Sequence, residues 1–128
     1  MNPEQMVPVD YEAMPHAIFS SPQVAGVGYT EQELKSRKIE YIKSSHKYIN
    51  TAMGKAIEDE DGFVKFLVGK KDKSILGCHI LGTDASVLIH EVIPVMKTDS
   101  PTIHPIVRAV HVHPALSEVI ARSAHNAL

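Results

Sequence analysis

The sequence predicts an α+β fold: an antiparallel sheet covered on one face by helices, a two-layer domain. Three observations predict it. Strand-like runs separated by turn residues follow one another over the first two-thirds of the chain, with a single short helical segment among them. Segments with helical spacing are concentrated in the last third. No strand is followed by a helix and a second parallel strand at the spacing that a βαβ repeat needs.

The chain has 128 residues, enough for one domain with a proper core. Its apolar fraction of 44% and charged fraction of 22% are those of an ordinary globular protein. The net charge of −2 and the scattered Lys and Arg give no basic surface for nucleic acid. The nearest basic run, Lys70-Lys71-Asp72-Lys73, reads as a solvated turn. No apolar stretch has the length of a membrane span, and the N-terminus lacks a signal-peptide core. The single cysteine, Cys78, excludes an internal disulfide and fits a reducing compartment, so a cytoplasmic location is expected.

Residues 1–14 carry Pro3 and Pro8 with no period and read as a linker or extended lead-in; the domain is expected over 15–128. Ala17 to Ser20 and Val24 to Tyr29 have strand character on either side of the turn-like Ser21-Pro22. Gly26 and Gly28 raise the question of a dinucleotide-binding loop. The third small residue is missing, because Glu31 stands there, and no βαβ unit can be drawn. The two glycines are read as allowing close strand packing. Thr30-Glu31-Gln32-Glu33 is a capping box, which starts a short helix reaching about Arg37.

Ile39 to Ile49 reads as a strand. Ala52 to Glu58 receives no regular assignment because of Gly54, and Asp61-Gly62 predicts a tight turn between extended segments. Phe63 to Val68 partly alternates, Lys70 to Ser74 makes a turn, and Ile75 to Leu81 is a largely apolar central strand, so consecutive hairpins are expected. Cys78, inside this strand, is expected to be inert packing.

Thr83 or Asp84 should cap the main helix, whose Ala85, Leu88, Ile89, Val92 and Met96 form one apolar stripe for the core or a subunit interface. Pro94 must kink or end it. His90 and Glu91 lie off the stripe, facing solvent or a partner subunit. Ser100-Pro101-Thr102 is expected to begin a second helix through Val107 to Arg108. Ala109 to His113 should be extended, with Pro114 at the first helical position of a final helix from Ala115 to about Asn126. Leu116, Val119, Ile120 and Ser123 fall on one side of that helix.

The chemistry is concentrated in His111-Val112-His113-Pro114-Ala115-Leu116-Ser117-Glu118. A carboxylate in the first turn of a helix is favoured by the helix dipole and can fold back on the ring of His113. One ring nitrogen would then be fixed and the other free for proton transfer. A surface hydrogen bond with no chemical role has the same pattern. The eight histidines also allow a three-ligand metal site, with His111 and His113 joined by His104 or His79. No cysteine or carboxylate is placed to complete it, and no metal is expected.

"HVHPALSE" (111–118) resembles the HxHPTxSE signature of dihydrolipoamide dehydrogenases and related FAD-dependent disulfide oxidoreductases. "PHAIFSSPQVAGVGYTE" (15–31) resembles the segment that opens the dimerisation domain of these enzymes. "ILGCHILGTDASVLIHEV" (75–92) resembles the segment leading into its long helix. The three blocks stand in the right order and cover almost the whole chain from Pro15 to Ser123.

The resemblance implies that His113 is the acid–base catalyst, held by Glu118 and serving the redox disulfide beside the partner subunit's flavin. His111, which lacks the Pro-x-x-x-Glu continuation, is read as structural. It further implies a homodimer and upstream FAD- and NAD(P)-binding domains, with no cofactor expected on this chain alone. Two departures stand out: Ala115 replaces the family's threonine, and the chain carries no redox cysteine pair and no FAD or NAD fingerprint. A mercuric-reductase-like domain is a lower-ranked alternative, since the chain ends "SAHNAL" without the cysteine pair of those enzymes. A stand-alone, non-catalytic dimeric interaction or metal-binding module is the alternative from another class.

Overall fold

The computed structural model describes residues 13–128. Most of the lead-in expected over 1–14 lies outside them. The chain folds into one five-stranded sheet ordered β1-β2-β5-β4-β3, with every pairing antiparallel. β1 (His16–Ile18) and β2 (Gln23–Gly28) form a hairpin, and β3 (Tyr41–Lys47), β4 (Phe63–Gly69) and β5 (Ile75–Gly82) form a meander. β5 is the middle strand of the sheet and joins the two units, with Val27 opposite Cys78 and Val24 opposite Leu81.

Six short α-helices complete the described residues: α1 (Glu31–Ser36), α2 (Ala52–Ala56), α3 (Ala85–Leu88), α4 (Ile93–Met96), α5 (His104–Arg108) and α6 (Ser117–His125). The predicted α+β class is the observed one. The main core lies between the sheet and the later helices. Val64, Phe66, Val68, Cys78 and Ile80 meet Ala85, Leu88, Ile89 and Val92 of the third helical region and Val119, Ile120 and Ala124 of α6. Buried polar groups tie α6 to the sheet: Ser44 Oγ donates to the Ser123 carbonyl at 2.8 Å, and Ser123 Oγ donates to the Val64 carbonyl at 3.1 Å. α1 lies against the other sheet face. Its Glu31 carboxylate takes Lys65 at 2.9 Å and Lys43 at 3.4 Å, and its Leu34 is buried outside the main core, as is Leu67 of β4.

The capping box at Thr30 is present in both directions. The Gly28 reading also holds. Gly28 has φ +75°, and a Cβ there would collide with the Leu76 carbonyl oxygen, so the glycine lets β5 approach closely.

Elsewhere the structure corrects the sequence reading. Ala52–Ala56, left unassigned, is helical: Thr51 caps it by accepting from the Gly54 N–H, and a Cβ on Gly54 would collide with the Tyr48 carbonyl. Gly54 is there for contact with the 3₁₀ turn Tyr48–Asn50, not because the helix is broken. Asp61-Gly62 is not a two-residue hairpin, since the β3–β4 connection runs from Tyr48 to Gly62 and contains α2. Asp59 organises that connection, accepting from the Gly62 N–H and from both the N–H and hydroxyl of Thr83.

The main helix is broken into α3, a 3₁₀ turn at Ile89–Glu91 and α4, with Pro94 in the first turn of the last piece. Neither Thr83 nor Asp84 caps α3 through its side chain; the Gln23 side chain of β2 accepts from the Ser86 N–H instead. Its stripe belongs to the chain's own core, so it is not available as a subunit interface. Pro101 begins no helix. Its carbonyl accepts from the Ile75 N–H and Thr102 bridges to Ser74, so the segment is extended and α5 starts at His104. Pro114 also lies outside a helix, after a cis peptide bond, and α6 starts only at Ser117.

Candidate functional site

Glu118 stands in the first turn of α6, and the side chain turns back toward the incoming segment. Its Oε2 accepts from the Ala115 N–H at 3.0 Å, and its two oxygens lie 3.0 and 3.2 Å from His113 Nδ1. The glutamate, rather than the proline, thus organises the entry to α6, by accepting from a donor that the helix leaves unpaired. The hydrogen bond with His113, aided by the Ala115 N–H, holds the Glu118 carboxyl below the usual carboxylate range. An ionised carboxylate can only accept, so in this contact His113 Nδ1 carries a proton and Nε2 is left free of the Glu118 bond. The His113 side chain is 69% exposed and that of Glu118 only 16%, so a sheltered group steers an accessible one.

His111, two residues earlier, is placed differently. Its side chain is 15% exposed, with Nδ1 3.1 Å from the Ala109 carbonyl and Nε2 3.7 Å from the Glu91 carboxylate. Burial raises the Glu91 pKa, opposed by the charge of His111. Glu91 therefore faces the dyad segment of its own chain, and the sequence had not linked it to His111.

The remaining candidates are dispersed. His79 Nε2 lies 3.0 Å from the Tyr29 carbonyl on the sheet, and burial lowers its pKa. His104 opens α5. No group of three His, Cys, Asp or Glu side chains able to hold a metal comes together among the described residues. Cys78 is fully buried in β5, and burial pushes its thiol well above the ordinary value, so it is packing and not a nucleophile. Sequence reasoning missed His46, Asn50 and Arg122, which line one cleft with His113 and Glu118. They come from β3, the 3₁₀ turn and the second turn of α6, and no local motif joins them.

The Gly26–Gly28 loop does not fit a dinucleotide. It sits in an all-antiparallel sheet, and the Leu76 carbonyl crowds Gly28.

The family described as pyridine nucleotide-disulphide oxidoreductase, dimerisation domain, matches residues 14–124. The chain is 39% identical over 119 residues to a mitochondrial dihydrolipoyl dehydrogenase of Dictyostelium discoideum, covering 93% of this chain and 24% of that protein. It is 35% identical over 116 residues to the corresponding enzyme of Pisum sativum, covering 91% and 23%. Among solved structures, LpdA from Mycobacterium tuberculosis superposes with a TM-score of 0.83 at 23% identity, over 93% of this chain and 26% of that one; at this identity the likeness is one of fold. The chain thus spans about a quarter of the length of the relatives it matches. It belongs to the dimerisation-domain family of the pyridine nucleotide-disulphide oxidoreductases.

Proposed function

We propose that this chain supplies the acid–base dyad of a dihydrolipoamide-dehydrogenase-type disulfide oxidoreductase, with His113 as proton carrier and Glu118 as its orienter. The observation that carries the proposal is the 3.0 Å contact between His113 Nδ1 and Glu118 Oε1 beneath an exposed ring. Thiolate, not thiol, attacks a disulfide, so a base with a pKa near neutrality is needed beside a dithiol substrate. The Nε2 lone pair accepts the S–H proton, the positive charge on the ring is stabilised by Glu118, and the same nitrogen returns the proton in the reverse direction.

FAD and NAD(P) would be held by upstream domains, and the redox cysteine pair would come from a partner subunit in a homodimer. When bound, the flavin would relay electrons between that cysteine pair and the nicotinamide. This chain contributes only the steered imidazole and the surface that pairs. Val110 and Val112, which flank His111 and are 100% and 75% exposed, offer apolar contact beside the dyad. The cytoplasm is the compartment we assign, testable by fractionation.

The decisive experiment joins the chain to its flavin and nicotinamide domains and compares the parent with His113→Gln. Dithiol oxidation should slow by about 10²- to 10⁴-fold, the usual range for a lost acid–base group. An unchanged rate removes His113 from the mechanism and favours a non-catalytic dimerisation module. Sedimentation of the joined protein should give a dimer, and a monomer at high concentration would count against the pairing.

A further inference from the structure

The face of the sheet away from the main core carries a row of residues that crosses four strands. Lys65 of β4 is paired with His79 of β5, His79 with Gly26 of β2, and Gly26 with His16 of the edge strand β1. Residues directly opposite one another in an antiparallel pair point to the same side, so two imidazoles flank a position that has no side chain. A Cβ on Gly26 would lie 2.9 Å from His79 Nδ1, 2.9 Å from His16 Nε2 and 2.8 Å from His16 Cε1. Both nitrogens therefore border one small space that any other residue would fill. Gly26 is not among the glycines with a positive φ, so what it supplies is the space and not a backbone conformation.

His79 is arranged as a ligand. Its Nε2 lies 3.0 Å from the Tyr29 carbonyl, which can only accept, so Nε2 carries the proton and Nδ1 holds the lone pair of the neutral ring. Burial lowers its pKa, and the charges of Lys65 and His16 push the same way, so the neutral form that coordinates is favoured. A carbonyl on the far nitrogen is the common support of a metal-bound histidine, because it fixes both tautomer and ring plane. His16 stands on an exposed strand and makes no hydrogen bond among the described residues, so its ring can turn Nε2 inward. The surrounding charges tolerate a cation. Lys65 and Lys43 are both engaged by Glu31, at 2.9 and 3.4 Å. The Glu33 carboxyl, lowered first by its hydrogen bonds with Thr30, also feels the charge of His79, so an acid stands near the site.

We propose that His16 and His79 form a two-histidine site for a late first-row divalent cation of the zinc type, which clips the edge strand β1 to the middle strand β5 across Gly26. Imidazole nitrogens bind such an ion at about 2.0–2.1 Å, a separation that a modest turn of the exposed His16 ring provides. Water completes the coordination, so the site needs no third protein ligand of the kind that the described residues do not bring together. The His113–Glu118 dyad, at the start of α6 on the core side of the sheet, takes no part.

The test titrates the full chain, labelled for NMR at histidine, with Zn(II). The ring signals of His16 and His79 should shift saturably at one ion per chain, and those of the other histidines should stay in place. Mg(II), a hard cation that prefers oxygen ligands, should move neither. His16→Ala, at an exposed position, should weaken zinc binding by about 100-fold, the lower end of what a second tethered ligand adds, with an unchanged amide spectrum verifying the fold. Gly26→Ala, which puts a methyl group into the space, should weaken it as well. A response that does not saturate, one centred on other histidines, or a His16→Ala variant that binds as the parent does overturns the site.

Discussion

Two histidines, two residues apart on one irregular segment before α6, each face a glutamate, and the pairs differ in exposure, in distance and in the acid's pKa. His113 is open to solvent and lies 3.0 Å from a carboxylate whose pKa is depressed. His111 is mostly covered and lies 3.7 Å from a carboxylate whose pKa is raised. The first pair combines a firm hydrogen bond with an accessible nitrogen, as proton transfer requires. The second gives a shielded ring that fastens the segment to the Ile89–Glu91 turn. Residue type and spacing do not separate the two; exposure and the anchoring of the acid do.

The largest effect expected from this contrast is kinetic. In the joined enzyme His111→Gln should cost less than about tenfold where His113→Gln costs about 10²- to 10⁴-fold. Equal losses measured by dithiol oxidation would erase the distinction.

The anchoring of the acids can be broken next. Glu118 rides on α6, and Ile120→Ala, at a position with no exposure, should destabilise the chain by about 2–5 kcal/mol in urea unfolding. It should also loosen the His113–Glu118 contact before the His111–Glu91 one, visible as a change in the His113 ring signals alone.

A third, smaller effect is in pH. Glu118 has a folded pKa below the ordinary glutamate value of 4.5, so its contribution is complete above about that pH and is lost as pH falls through the lowered value. Glu91 has a raised pKa, so its protonated form is the one favoured by folding, and its contribution grows as pH falls through the raised value. Carboxyl-carbon titration should place the two on opposite sides of 4.5, and the same order for both would contradict the contrast. The smallest expected change is Val112→Ser, within about 0.5 kcal/mol for the isolated chain because the side chain is largely exposed. A measurable weakening of the dimer by the same substitution would mark this strip as part of the pairing surface.

Much of this was legible in the sequence, because it rests on short-range rules. Alternation and turn residues gave the meander, the capping box gave α1, and five-residue spacing gave the approach of Glu118 to His113. What was not legible depends on groups distant in the chain. Pro101 looks like a helix start until its carbonyl is seen to pair with Ile75, and Asp61-Gly62 looks like a hairpin until Asp59 is found bonded to Thr83. Asp84 was a plausible cap, but Gln23 does that work from another strand. Gly54 looked like a breaker because the Tyr48 carbonyl it must avoid is invisible to propensity. His46 and Arg122 belong together only because β3 lies under α6.

The position of β5 between β2 and β4 also bears on how the chain reaches this state. The β1–β2 and β4–β5 hairpins close over short loops, whereas the β2–β5 seam joins segments some fifty residues apart, with Val27 registered on Cys78. Loop closure of that length should make formation of the seam slower than that of either hairpin. Substitutions there should alter the refolding rate more than those in the outer hairpin, an order that φ-value measurements at Val27 and Ala17 would reveal.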